Sequence, residues 1–131
     1  MIVICFDYGI KTIGVAISET KIKYATPIKS IVNKKKTLWK NIDSIIQYWK
    51  PKYIIIGYPY YIKKKINKKI KKFSHFFEKK FNKNVILYNE NYSSIEAKTF
   101  LKKRKKRNFP CIHSISAKII LDSWLRENYI F

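Results

Sequence analysis

Ile2-Val3-Ile4-Cys5-Phe6-Asp7-Tyr8-Gly9-Ile10-Lys11-Thr12-Ile13-Gly14-Val15-Ala16-Ile17-Ser18 is the stretch that decides the fold. Ile2–Phe6 is an unbroken apolar run rich in β-branched side chains, the pattern of a strand buried on both faces. Asp7-Tyr8-Gly9 interrupts it, and Ile13–Ser18 supplies a second strand close enough in sequence to form a hairpin. Working outward, Tyr24–Val32 reads as a third strand. Pro27 has no N–H to give to a ladder, so this strand belongs at a sheet edge.

From Leu38 the apolar period changes to that of a helix. Leu38, Ile42, Ile45, Ile46 and Trp49 share one face, and Lys50-Pro51 is the stop. Tyr53–Ile56 is a further β-branched run, closed by Gly57-Tyr58-Pro59. Ile66, Ile70, Phe73, Phe77 and Phe81 then keep the three- and four-residue spacing of a second helix whose other face is lysine. Val85–Tyr88 is a fifth strand. Ser93-Ser94-Ile95-Glu96 has the form of a capping box, predicting a third helix from about Ser94 toward Lys102. Ser114 is expected to cap a last helix with Ala117, Ile120, Leu121, Trp124 and Leu125 on its apolar face. The order β-β-β-α-β-α-β-α-α predicts an α/β fold in one domain over residues 1–131. The later crossovers require parallel pairing, hence a mixed five-stranded sheet with helices on its faces.

The 131 residues are 47% apolar, enough for a packed core, which excludes wholesale disorder. The longest uncharged stretches, Tyr53–Ile62 and Asn108–Ala117, have ten residues each. A spanning helix needs roughly 20 apolar residues, so no membrane association is expected. Met1–Asp7 lacks the basic start of a secretory leader, and Cys5 and Cys111 lack metal-type spacing; both point to a reducing cytoplasm. The formal net charge of +21, from 29 Lys+Arg against 8 Asp+Glu, points to a polyanionic partner such as nucleic acid. Only 3 of the basic residues are Arg, and the chain carries 24 Ile and 10 Tyr. That is the signature of AT-rich codons, so part of the charge reflects codon composition.

In an open α/β sheet, ligands gather at the carboxyl ends of the strands. Asp7 follows the first strand and Glu90 follows the fifth, so two of the 8 acids fall at that edge. Paired carboxylates beside a basic surface suit a divalent cation and phosphodiester hydrolysis; a simple turn role suits them about equally. Asp7 is the harder to dismiss, because an acid directly after a fully apolar strand is unfavourable without a partner. Asp43 and Glu78 read as solvated helix positions and Glu96 as a cap partner. Asp122 stands about 12 Å along the last helix from Ser114, too far to join a site at the helix start.

Asp7-Tyr8-Gly9-Ile10-Lys11-Thr12-Ile13-Gly14-Val15-Ala16 resembles the opening motif of the YqgF-type family, bacterial proteins described as Holliday-junction resolvases and as pre-16S rRNA nucleases. Three more motifs follow in order. Ile55-Ile56-Gly57-Tyr58-Pro59 is similar to the family's strand and Gly-Leu-Pro. Glu90 with Ser93-Ser94-Ile95-Glu96-Ala97 is similar to its Asp-Glu-Arg-Leu-Ser-Thr segment, and Ser114–Leu121 to the start of its final helix. The resemblance covers nearly the whole chain. It implies a single RNase H-like nuclease domain, divalent-metal chemistry with Mg²⁺ or Mn²⁺, and a role in maturing the 5′ end of 16S rRNA on the precursor or the pre-ribosomal particle. Branched DNA is the alternative substrate that it implies.

The departures are specific. The family's Asp before the Ser of the last motif is His113 here, the Asp before its Glu is Asn89, and the Arg after it is Asn91. Tyr61-Ile62-Lys63-Lys64 stands where Asn-Met-Asp-Gly is usual. Asp7 and Glu90 therefore carry over as catalytic metal ligands, and His113 by position alone. Imidazole serves Mn²⁺ better than Mg²⁺, so weaker metal binding and reduced activity are expected, with a non-cleaving RNA-binding factor as the limiting case. Lys11 and the run Lys102, Lys103, Arg104, Lys105, Lys106 and Arg107 are the expected phosphate contacts, the run forming a flap beside the site.

Overall fold

The computed structural model describes residues 1–22, 24–58, 65–89 and 112–129. The strands are β1 (Ile2–Asp7), β2 (Thr12–Glu19), β3 (Thr26–Val32), β4 (Tyr53–Tyr58) and β5 (Val85–Asn89). The helices among these residues are α1 (Leu38–Trp49), α2 (Lys65–Phe81) and α3 (Ile115–Asn128), the last preceded by a 3₁₀ turn at Ile112–Ser114. The helix expected from about Ser94, Glu90 and the basic run 102–107 lie outside the described residues.

The sheet order is β3-β2-β1-β4-β5. β1 pairs antiparallel with β2 and β2 antiparallel with β3, whereas β4 and β5 join in parallel. This is the mixed five-stranded sheet expected from the sequence, with Pro27 on the edge strand β3. Val3–Phe6 of β1 and Ile54–Ile56 of β4 are wholly buried, as strands covered on both faces must be.

Each face has its own core. Ile4, Phe6, Ile13, Val15, Ile54 and Ile56 point toward α1 and α2, where they meet Leu38, Ile42, Ile46, Ile70, Phe73 and Phe77. The alternate residues Val3, Cys5, Ala16 and Ile55 meet Ala117, Ile120, Leu121, Trp124 and Leu125 of α3. Helix α1 stops at Lys50, whose φ of 47° places it in the left-handed region and whose N–H still reaches Ile46 O. Pro51 follows and ends the helix. Among the described residues no helix is long and apolar enough to cross a membrane.

Candidate active site

The carboxyl ends of β1, β4 and β5 lie at one edge of the sheet, as their parallel registers require: Phe6 pairs with Ile56, and Tyr58 with Asn89. Asp7 closes β1 there. Strand alternation puts it on the α3 face with Val3 and Cys5. Its partner across the antiparallel ladder is Gly14. A Cβ on Gly14 would clash with the backbone O of His113 and lie 3.1 Å from Ser114 Cα. The 3₁₀ turn therefore rests with its backbone directly on β2, an approach that only glycine permits.

Ser114 completes this clamp. The β2–β3 register shifts between Ile13 and Val15. At the shift, the buried Ser114 hydroxyl accepts from Val15 N–H at 2.9 Å and donates to the Ile28 carbonyl at 2.6 Å. Both backbone groups are satisfied by a residue about 90 positions away in the chain. The sequence predicts a helix cap at Ser114, and α3 does begin directly after it, but the side chain makes no capping bond. The hydroxyl is engaged with the sheet instead. It is a positioning residue, and Gly14 is its counterpart. The one advance signal was a glycine inside an otherwise β-branched strand, which marks a close backbone approach.

Asp7 and His113 are thus brought to the same edge, joined through Gly14, and His113 is exposed there. Asn89, paired with Tyr58, is the last described residue before Glu90, whose own position lies outside the description. Lys11 is exposed in the β1–β2 turn, and its carbonyl accepts from Asn33 N–H at 2.9 Å. Asn33 Nδ2 also donates to Gly9 O at 2.8 Å, so the end of β3 is tied to that turn. Among the described residues no group of three or more His, Cys, Asp or Glu is placed to hold a metal ion. Within that set, Asp7 and His113 are the site's candidate ligands. The other acids among the described residues lie elsewhere. Asp43 and Glu78 are exposed on their helices, and Glu19 pairs with the N-terminal amine. Asp122 is buried, accepting from Ala25 N–H at 2.6 Å while paired with Lys118.

Known proteins with the same pattern extend this picture. The family model of RuvX, described as Holliday junction resolvase, matches residues 1–127. A protein of Buchnera aphidicola subsp. Cinara cedri, provisionally named a pre-16S rRNA nuclease, is 66% identical over 129 residues, covering 98% of this chain and 99% of that one. A Hydrogenovibrio crunogenus protein with the same provisional name is 33% identical over 128 residues, covering 95% and 92%. Among solved structures, T. thermophilus RuvC in complex with Holliday junction substrate aligns with a TM-score of 0.63 at 12% identity, covering 97% of this chain and 95% of RuvC. The fowlpox virus resolvase with Holliday junction DNA aligns at 0.61 and 18% identity, covering 97% and 98%. The sheet and its helices therefore have the RNase H-like fold of these enzymes.

Proposed function

The chain belongs to the RuvX family, and from that premise we propose that it is a divalent-metal-dependent nuclease that trims precursor 16S rRNA in the cytoplasm, acting as one domain over residues 1–131. Relatives that share nearly its full length carry that activity in their names, which favours precursor rRNA as the substrate. The observation that carries the chemistry is Asp7. It stands at the carboxyl end of β1, opposite Gly14, which itself faces the backbone of the turn that bears His113.

The donor set fits a divalent cation: the Asp7 carboxylate, the Glu90 carboxylate directly after β5, and the His113 imidazole where the family has Asp. When bound, Mg²⁺ or Mn²⁺ supplies charge neutralisation at the scissile phosphate and a water of lowered pKa. The imidazole in place of a carboxylate shifts the preference toward Mn²⁺. The protein's own part is positional. Gly14 and Ser114 fix the turn so that His113 and Asp7 share one edge, while Lys11 and the 102–107 run hold phosphates as point charges.

The decisive experiment is cleavage of a precursor 16S rRNA fragment and of a four-way DNA junction, each with Mg²⁺ and with Mn²⁺. The rRNA fragment is expected to be cut, faster with Mn²⁺. Asp7→Asn should lower the rate at least about a hundredfold, because a bound ion is worth several kcal/mol and about 1.4 kcal/mol is tenfold. Its urea midpoint should stay near that of the parent. Cleavage by Asp7→Asn at the parent rate would remove the metal site. Cutting of the junction alone would favour the second reading, a junction endonuclease, which the family description supports. No cutting of either substrate would leave an RNA-binding factor.

A further inference from the structure

On the sheet face opposite α3, a cleft of about 360 Å³ opens beside the candidate active site, between Tyr8, the start of α1 and the exposed side of α2. Its lining combines the aromatic residues Tyr8, Trp39 and Phe76 with Lys35, Lys69 and Lys72. The rings form a continuous wall. Trp39 lies 4.6 Å from Phe76 between ring centroids and stacks on Phe73 at 5.2 Å and 26°, and Tyr8 packs on the same Phe73 at 5.1 Å. Phe76 is 51% exposed although it sits in a helix whose neighbouring aromatics Phe73 and Phe77 are buried. Among the described residues none of the three lysines is in an ion pair. An exposed aromatic flanked by unpaired point charges offers a π-face for a base and counter-charges for its phosphates.

We propose that this cleft is a binding subsite for single-stranded RNA, in which an unstacked base lies against Phe76 and Trp39 while Lys35, Lys69 and Lys72 hold the adjoining phosphates. The choice of RNA rests on the nuclease reading above; the choice of a single strand rests on the rings, since only unstacked bases expose a face to them. Tyr8 is the residue after Asp7, so their Cα atoms are about 3.8 Å apart. Asp7 belongs to the α3 side of the sheet edge and Tyr8 packs against the core on the α1 and α2 side. A strand crossing the edge at Asp7 would have its neighbouring nucleotides at the cleft. The rim is held in place before any ligand arrives, since Asn33 ties the end of β3 to Gly9 and Lys11 of the β1–β2 turn.

The test is fluorescence anisotropy on the full chain without added metal. The probes are labelled oligoadenylate RNA, an abasic RNA strand of equal length, the DNA equivalent of the oligoadenylate, and duplex RNA. The parent should bind oligoadenylate about tenfold or more tighter than the abasic strand, in line with stacking on one ring wall. Phe76→Ala should erase that preference, while Tyr48→Ala, which removes an aromatic 78% exposed on α1 and outside the cleft, should keep it. Joint replacement of Lys69 and Lys72 by Gln should flatten the slope of log affinity against log salt by about 0.7 for each contact. This surface pair keeps the test valid if Phe76→Ala folds poorly. Equal affinity for base-bearing and abasic RNA, preference surviving Phe76→Ala, or DNA or duplex bound as tightly as oligoadenylate would each overturn the proposal. A protein that shows the base preference but cuts no precursor loses the nuclease reading alone. One that cuts but shows no base preference loses the cleft alone.

Discussion

The two faces of the sheet are built from side chains of different size, and the difference separates stability from positioning. Toward α1 and α2 the sheet presents Ile4, Phe6, Ile13, Val15, Ile54 and Ile56, met by Phe73 and Phe77, so thick side chains fill the space between the layers. Toward α3 it presents Val3, Cys5, Ala16 and Ile55, with Gly14 beside the turn; Ile120, Leu121, Trp124 and Leu125 cover the far part of this face, while at the start of α3 the partner is Ala117. Small residues on both sides let backbone approach backbone, and there Ser114 reaches into the β2–β3 ladder. The thick face holds most of the large buried side chains, whose burial contributes about 1.5–3 kcal/mol each. The thin face fixes where the turn bearing His113 stands relative to Asp7.

The largest stability effect should come from the thick face, at its end far from the site. Ile54 is the second residue of β4, is wholly buried, and pairs with Ile4 and Val85. Ile54→Ala should lower unfolding free energy by about 2–5 kcal/mol, read as a lower urea midpoint at constant slope. Cleavage measured well below that midpoint should remain at the parent rate. If cleavage fell in step with stability, the division between the two faces would be broken.

Gly14→Ala should have a smaller effect on stability and a larger one on chemistry. The added methyl meets the His113 carbonyl and the Ser114 backbone, atoms that cannot swing aside as a side-chain tip could. Overpacking of this kind lowers stability by about 1–3 kcal/mol. A displacement of about 1 Å at a catalytic group can lower the rate about a hundredfold. Cleavage should therefore fall far more than in Ile54→Ala, although the fold loses less. Parent-level cleavage by Gly14→Ala would mean that the clamp has no bearing on the site.

The thick face is also the one most legible in the sequence. Runs such as Ile2–Phe6 and Tyr53–Ile56, and the helical spacing of Ile42, Ile46, Phe73 and Phe77, carry local periodicity that needs no knowledge of distant residues. The same is true of Pro27 at the edge and of Lys50-Pro51 at the end of α1. The thin face depends on contacts that the local pattern does not contain. Ser114 has the residue type of a helix cap and stands at the start of a helix, yet its hydroxyl bonds to strands 86 and 99 residues away. Asp122 was legible only as too distant for the site. Its acceptance of the Ala25 N–H was invisible, because no short-range rule links residues 97 apart. For the site, Asp7 was placed by a break in polarity after an apolar strand, whereas His113 gained a ligand role only through family resemblance.

The smallest effect tests the outer margin of the thin face. Tyr88 of β5 packs against the α3 core, and its hydroxyl lies 3.0 Å from Ser123 Oγ. Burial pushes its pKa above the usual tyrosine value; the bond to Ser123 opposes this, and Glu127 adds to the upward shift. The folded state therefore keeps a proton that the unfolded chain releases from about pH 10 upward. With more protons bound to the native state, stability falls as pH rises. The contribution is intact below the unfolded pKa and is lost as pH passes through the folded one. Tyr129 shifts in the same direction, also through burial, and retains its part of the slope in a Tyr88 variant. Tyr88→Phe removes the ionisation together with one half-buried hydrogen bond. At neutral pH it should be less stable than the parent by about 0.5–1.5 kcal/mol. Between about pH 9 and 11 the parent should lose stability faster, so the two urea midpoints converge. Ionisations common to both proteins cancel in the difference. Midpoints that run parallel through the alkaline range would show that Tyr88 meets α3 as an ordinary wet surface residue, and the thin face would then end at Ile86.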